Sequence, residues 1–337
     1  MTADQSSVVV GLNAVIVAVT DKRPRVLTVR PTSPADRMAG DLHGLPFGPL
    51  DPQGDRTLEL GLRRWVGEQT GINLGYVEQL YTFGDRDREP VGPGARQRVL
   101  SVGYLALVKE GALAGEARWR DCYAFLPWED WRLGKPDLID RTIQPALQQW
   151  IDVCREAGER QSRQDRVAIA FGWDGAPWDG ERVLERYELL YEAGLVYESW
   201  FDRRARQGAT TVDSTSAGSA AQQVPGLAMR LDHRRILATA LGRLRGKLRY
   251  RPVVFELLPD RFTLLQLQQC VEALAGVLLH KQNFRRLVER GGLVEGTGKM
   301  DLETGGRPAE IFRFRREVLR ERPAPGVGLP SLRESSS

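Results

Sequence analysis

Apolar positions along this chain recur with two periods, and between them they mark most of the elements. Residues 7–20 (SVVVGLNAVIVAVT) are a nearly continuous β-rich run, and 25–30 (RVLTVR) alternate after the break at Lys22–Pro24, which predicts paired strands. Leu58, Leu62 and Val66 fall on one face of a helix over Thr57–Thr70, flanked by Leu60 and Trp65 and stopped by Gly71. Tyr76–Phe83 and Val99–Val108 read as strands on either side of a charged loop, Ala124–Pro127 opens a strand-to-loop passage, and Ile139–Cys154 is helical. Glu156–Arg166 is charged enough to be a linker, Arg166–Phe171 and Leu195–Phe201 read as strands, and between them Val183, Leu184, Tyr187, Leu190 and Tyr191 predict a helix with Asp179 as N-cap and Gly194 as C-cap.

The clearest pattern lies further on, in Phe262–Arg315. Leu264, Leu267, Val271 and Leu274 give a helix over Thr263–Val277 with Thr263 as N-cap. A second helix over His280–Arg290 places Phe284, Leu287 and Val288 inward and ends at Gly291 and Gly292; a Gly-rich turn and an alternating AEIFRFR strand follow. Helix, short turn, polar helix and hairpin is the order of a winged helix-turn-helix, whose second helix enters the major groove. Lys281, Gln282, Asn283, Arg285 and Arg286 are the groove candidates, and Lys299 and Arg307 the wing candidates. Arg and Lys reach guanine edges or phosphates, and Asn and Gln read adenine. Asn283 also has a local hydrogen-bonding option near the helix start. On pattern alone, a small α+β module with a solvated basic face is an equal reading.

Charge changes that balance. Residues 233–320 hold 18 Lys/Arg against 9 Asp/Glu, so a chain of net +4 carries a basic C-terminal unit and a net −5 over its first 232 residues. That asymmetry suits a nucleic-acid binder joined to something else. A basic helix over Leu231–Arg249, with Ile236, Leu237, Ala240, Leu241 and Leu244 inward, turns Arg235, Arg243, Arg245, Lys247 and Arg249 outward, where they can follow a DNA backbone; a solvated linker helix is an equal reading. Pro252–Leu258 reads as a short strand, Gln207–Pro225 as a disordered Gly/Ser/Thr/Ala loop, and the tail from Pro323 as disordered. Cys122, Cys154 and Cys270 are odd in number and form no CxxC, which points to reduced thiols and a cytoplasmic setting, and no apolar run approaches a membrane span, so no membrane partner is expected. His43, His233 and His280 have no metal-ligand spacing, so neither a metal site nor a bound cofactor is expected.

Two resemblances follow from these residues. The run Arg64-Trp65-Val66-Gly67-Glu68-Gln69-Thr70-Gly71-Ile72, with LPFG at 45–48 before it, resembles the Nudix box, but Trp65 and Gln69 stand where that family has carboxylates, the upstream Glu position falls on Arg56, and the spacing from Gly48 is two residues longer. Nudix hydrolysis uses several carboxylates on one helix face to hold Mg²⁺ against a diphosphate. Glu68 alone cannot do that, so the expectation is a pocket that binds without cutting.

The C-terminal stretch, with Arg243–Tyr250, Leu257–Leu264, Lys281–Arg286 and Arg307–Ala309, is similar to the DNA-binding domain of Nudix-related transcriptional regulators of NAD metabolism, the NrtR-type family. The loop at Thr82–Arg88 looks like that family's as well, and the central segment is an insertion. The resemblance implies an α+β Nudix fold over 1–155 followed by an insert over 156–230, a winged helix-turn-helix over 231–320 and a tail over 321–337. It also implies a homodimeric, non-enzymatic repressor that binds double-stranded DNA at a palindromic operator and responds to ADP-ribose or a related NAD-derived nucleotide. Arg86, Arg88, Arg98 and Glu68 are the candidate ligand-binding residues. The alternative is an active Nudix hydrolase, an ADP-ribose pyrophosphatase with an accessory nucleic-acid-binding domain.

Overall fold

A computed structural model describes residues 8–30, 42–84, 98–206, 226–302, 308–322 and 325–327, without the side chains of 204–206. Its first unit is a mixed sheet. Strand β1 (Val8–Thr20) turns into antiparallel β2 (Arg23–Val29), while its first half pairs with the short β3 (Phe47–Pro49). Helix α1 (Leu58–Thr70) precedes β4 (Tyr76–Phe83), β5 (Arg98–Leu107) and β6 (Ala117–Asp121), and the strand order is β4-β5-β1-β2-β6, with β1 and β5 parallel. β1 is apolar almost throughout because both of its faces are covered. Leu12, Ala14, Ile16 and Ala18 meet Leu62 and Val66 of α1 on one side, while Val15 and Val17 join the larger core on the other.

A short helix α2 (Cys122–Phe125) stands where a strand-to-loop passage was expected, and the strand is β6, just before it. A 3-10 turn (Pro127–Glu129), a π turn (Ile139–Ile143) and α3 (Gln144–Asp152) follow. The insert is helical where the sequence suggested linker and strands. α4 spans Ala157–Phe171, α5 spans Val183–Glu192 and α6 spans Tyr197–Arg206. In α4 only Val167, Ala170 and Phe171 are buried, so the apolar run RVAIAF is the anchored last turn of a helix whose earlier turns are solvated. Arg163–Glu159 (2.5 Å) and Gln161–Asp165 (2.8 Å), each four apart, line those solvated turns. The α5 cap is Arg182; Asp179 Oδ1 instead accepts from the Glu181 amide in the preceding turn. The stretch 207–225 lies outside the described residues.

Helix α7 (His233–Tyr250) then crosses the molecule, and a 3-10 turn (Val253–Leu257) replaces the strand expected at Pro252–Leu258. The second unit holds β7 (Phe262–Thr263), α8 (Leu264–Ala275), α9 (Lys281–Gly291), β8 (Val294–Asp301), β9 (Ala309–Phe314) and the short α10 (Val318–Glu321), with sheet order β7-β9-β8. Thr263 begins α8 with a capping box, Oγ1 accepting from the Gln266 amide at 3.2 Å while Gln266 Oε1 accepts from the Thr263 amide at 2.7 Å. Of the expected disordered tail, residues 325–327 pack back onto α7, where the Val327 amide donates to Leu248 O at 2.9 Å. The three cysteines are buried free thiols.

The outward basic stripe predicted for α7 is largely interior. Arg245 and Arg235 are buried and Lys247 is held by Glu78 and Tyr76, which leaves Arg243 and Arg249 exposed, the latter paired with Glu181 at 3.1 Å. The physical reason is that acids and carbonyls from other elements converge on this helix, so its arginines have partners inside the fold.

Candidate functional site

The basic face on α9 stands clear of the protein. Phe284 and Val288 are fully buried against the core, while Lys281, Gln282, Asn283, Arg285 and Arg286 are all exposed. Asn283 Oδ1 accepts from Arg286 Nη2 at 3.3 Å, so these two candidates hold one another in the free protein. On the wing, β8 slips register between Gly296 and Met300, and Lys299 lies exposed in that bulge. Arg313 and Arg315, also on or beside the wing, are engaged by Glu295 (2.6 Å) and Glu321 (2.5 Å). Arg307 lies outside the described residues, as do Arg86 and Arg88.

On α1, the two positions where carboxylates were missing grip the β3 strap. Gln69 bonds the Phe47 backbone twice, Oε1 accepting from its amide at 3.2 Å and Nε2 donating to its carbonyl at 2.6 Å, and Trp65 Nε1 donates to Pro49 O at 2.7 Å. Gly48 lies flat on the Trp65 ring, and a Cβ there would sit 2.1 Å from it. Glu68 is exposed, with Arg64 Nη1 at 3.6 Å. Arg64 itself is held by Asp55 through two hydrogen bonds at 3.0 and 2.8 Å, which keep the Asp55 carboxyl below the usual range. Arg98, at the start of β5, donates to Gly84 O at 2.9 Å. The clamp was not foreseen from the sequence, where its only sign was the LPFG run itself.

From its other side the strap is held by α7. The Leu45 amide donates to His233 Nδ1 at 2.8 Å, and Phe47 packs edge-on to the same ring at 5.3 Å. Burial, with a smaller contribution from the Arg230 charge, depresses the His233 pKa to about 3, so the ring stays neutral and keeps accepting from Leu45. From the sequence, His233 shows no more than a helix start.

A buried charge hub joins the two units. Glu129 is fully buried between Arg186 of α5 (2.6 Å) and Arg245 of α7 (2.6 Å). Burial pushes its carboxyl up, but the Arg186 and Arg245 charges outweigh that and hold it below the ordinary carboxylate range. Donors from the first unit and from α7 cap the C-terminal end of α8. Tyr123 Oη donates to Ala273 O (2.7 Å), Arg245 Nε to Leu274 O (3.2 Å) and the Trp131 amide to Gly276 O (2.7 Å). Gly276 has φ 72°, and a Cβ there would lie 2.4 Å from Glu129 O, so the close approach needs glycine.

A mixed sheet packed on α1, followed by a two-helix turn and a three-stranded wing, defines the class: a Nudix-fold domain joined to a C-terminal winged helix-turn-helix. Residues 254–314 match the family described as the NrtR DNA-binding winged helix domain. The ADPR responsive transcriptional repressor NtrR of Acinetobacter baylyi is 38% identical over 93 residues, which are 28% of this chain and 37% of that protein, so the chain matches little more than a third of this curated relative's length. The crystal structure of Shewanella oneidensis NrtR complexed with a 27mer DNA aligns with TM-score 0.53 at 20% identity, covering 92% of this chain and 95% of that one. A MutT/nudix family protein from Enterococcus faecalis aligns with TM-score 0.51 at 16% identity over 94% of this chain and 89% of its own. At these identities the two structures establish the shared fold.

Proposed function

We propose that the chain is a DNA-binding transcriptional repressor of NAD biosynthesis or salvage genes that senses ADP-ribose or a related NAD-derived nucleotide without hydrolysing it. The observation that carries this reading is the exposed Lys281, Gln282, Asn283, Arg285 and Arg286 face on α9, inside the stretch that matches the NrtR winged helix. The relative's description as an ADPR responsive repressor supports the effector class. Two copies on a two-fold operator would present one α9 to each half-site.

The donor set on α1 supports binding without cutting. Trp65 and Gln69 are committed to β3, and Glu68 faces Arg64, so these residues do not fit a Mg²⁺ centre, which needs several convergent oxygen ligands. The clamp itself has a use in a sensor. Nucleotide binding beside α1 would press on the strap, His233 would pass that to α7, and Arg245 would pass it to the end of α8. Effector then shifts DNA affinity only by its differential affinity for the two arrangements.

The reading is tested by titrating the full chain against DNA from its own upstream region at several salt concentrations. Specific binding that falls steeply with salt is expected, and Arg285→Ala and Arg286→Ala should each weaken it. A variant whose missing side chain neutralised a phosphate should also show a salt slope shallower by about 1. Unchanged affinity in both variants would mean that α9 is not the reading helix.

A further inference from the structure

The turn between α8 and α9 is held by two buried side chains whose bonds nothing in the sequence foreshadowed. Gln268 and Glu272 lie one helical turn apart on α8, both at least nine-tenths buried. Glu272 Oε1 accepts from the Leu279 amide at 2.9 Å and from Gln268 Nε2 at 2.8 Å, and Gln268 Nε2 also donates to the Leu279 carbonyl at 3.0 Å. Both backbone polar groups of Leu279 are therefore bound by α8, and Leu279 is the last residue before the α9 N-cap, His280. His280 makes no side-chain cap bond, so α9 has no cap of its own to fix where its first turn begins.

We propose that Gln268 and Glu272 are positioning residues for DNA reading. They orient the Leu279 peptide, and through it the direction in which α9 leaves the turn, so that its side chains meet base edges in register. The lever is long: α9 has 11 residues, about 16 Å, so a tilt of about 10° at its start moves its far end by about 3 Å. Base-edge hydrogen bonds span about 3 Å and do not survive such a shift, whereas phosphate contacts made by long Arg and Lys side chains adapt to it. The pair thus governs sequence discrimination more than overall affinity. A carboxylate serves here as a two-fold acceptor, and an amide at the same position can accept the same two bonds through its own Oε1.

This rests on the DNA-binding reading, and the experiment separates the two. The wild-type full chain first enriches a duplex from a random-sequence pool; failure to enrich any sequence sinks that reading. The ratio of affinities for the enriched duplex and for a scrambled one is then measured for Glu272→Leu, Gln268→Met and Glu272→Gln. We expect the ratio to fall at least tenfold in E272L and Q268M, with scrambled-duplex affinity and salt slope unchanged, and to return to within about threefold of wild type in E272Q. A ratio unchanged in E272L and Q268M overturns the proposal. So does loss of both affinities in the same proportion, the mark of a role in folding alone, and so does an E272Q ratio as low as that of E272L.

Discussion

Replacing Arg186 by Met tests whether the insert is bolted to the rest of the chain. The side chain is fully buried and donates four hydrogen bonds: Nε and Nη2 to Glu129 (2.6 and 2.9 Å), and Nη1 to Ala170 O and Asp179 O (2.8 and 2.9 Å). Removing one partner of a buried ion pair costs about 3–5 kcal/mol. Glu129 keeps Arg245 on Oε2, the oxygen Arg245 shares with Arg186 Nη2, which places the expected loss near the lower end, at about 3 kcal/mol. Over 337 residues, at about 2 cal/mol/K of unfolding entropy per residue, that lowers Tm by about 4 °C. Adding Glu129→Gln leaves the buried Arg245 without its carboxylate, so the double variant should lose more than Arg186→Met alone but less than the two single losses summed, a coupling that a double-mutant cycle measures. Arg166→Ala is the control. Its pair with Glu192, equally short at 2.6 Å but exposed, contributes less than about 1 kcal/mol. The assay is thermal unfolding of the full chain followed by far-UV circular dichroism. If Arg186→Met shifts Tm no more than Arg166→Ala does, burial of the hub is not what sets its energetic weight.

Two other outcomes follow from the strap. Gln69→Leu removes both bonds to Phe47 and should lower stability by about 1–2 kcal/mol while weakening nucleotide affinity, read by denaturant unfolding and by calorimetric titration of ADP-ribose. His233 titrates near 3 in the fold and near 6.5 unfolded, so the unfolded chain binds the extra proton between those values. Its stabilisation is complete above pH about 6.5 and is lost progressively below it, amounting to about 2 kcal/mol by pH 5. Urea midpoints from pH 7 to 5 should therefore fall for the wild type and stay flatter for His233→Asn, which keeps an acceptor for Leu45 but no titrating group.

Elements that declare themselves locally were legible in the sequence. Gly71 stops α1 and Thr263 caps α8 as their positions suggested, and Phe284 and Val288 turn inward on α9 at the spacing read for them. What was not legible depends on partners far away in the chain. Arg245 looks like any outward arginine until Glu129, 116 residues earlier, is folded against it. Short apolar runs were ambiguous for a different reason: RVAIAF and LVYESWF fit a strand or one end of a helix, and packing against α5 chooses the helix. On α1, the sequence showed Trp65 and Gln69 at positions where the box it resembles has carboxylates, but only the fold shows these two side chains holding β3.

The central claim is that one chain reads DNA and a nucleotide and couples the two. The direct measurement is fluorescence anisotropy of a labelled duplex from the chain's own upstream region, titrated with the full chain with and without ADP-ribose, NAD and nicotinamide mononucleotide, with Mg²⁺ present. The account predicts specific binding whose affinity changes at least about fivefold with one of these nucleotides, a coupling of about 1 kcal/mol, and ADP-ribose recovered intact. Affinity that no nucleotide alters, or steady release of AMP from ADP-ribose at ordinary enzyme rates, would contradict it.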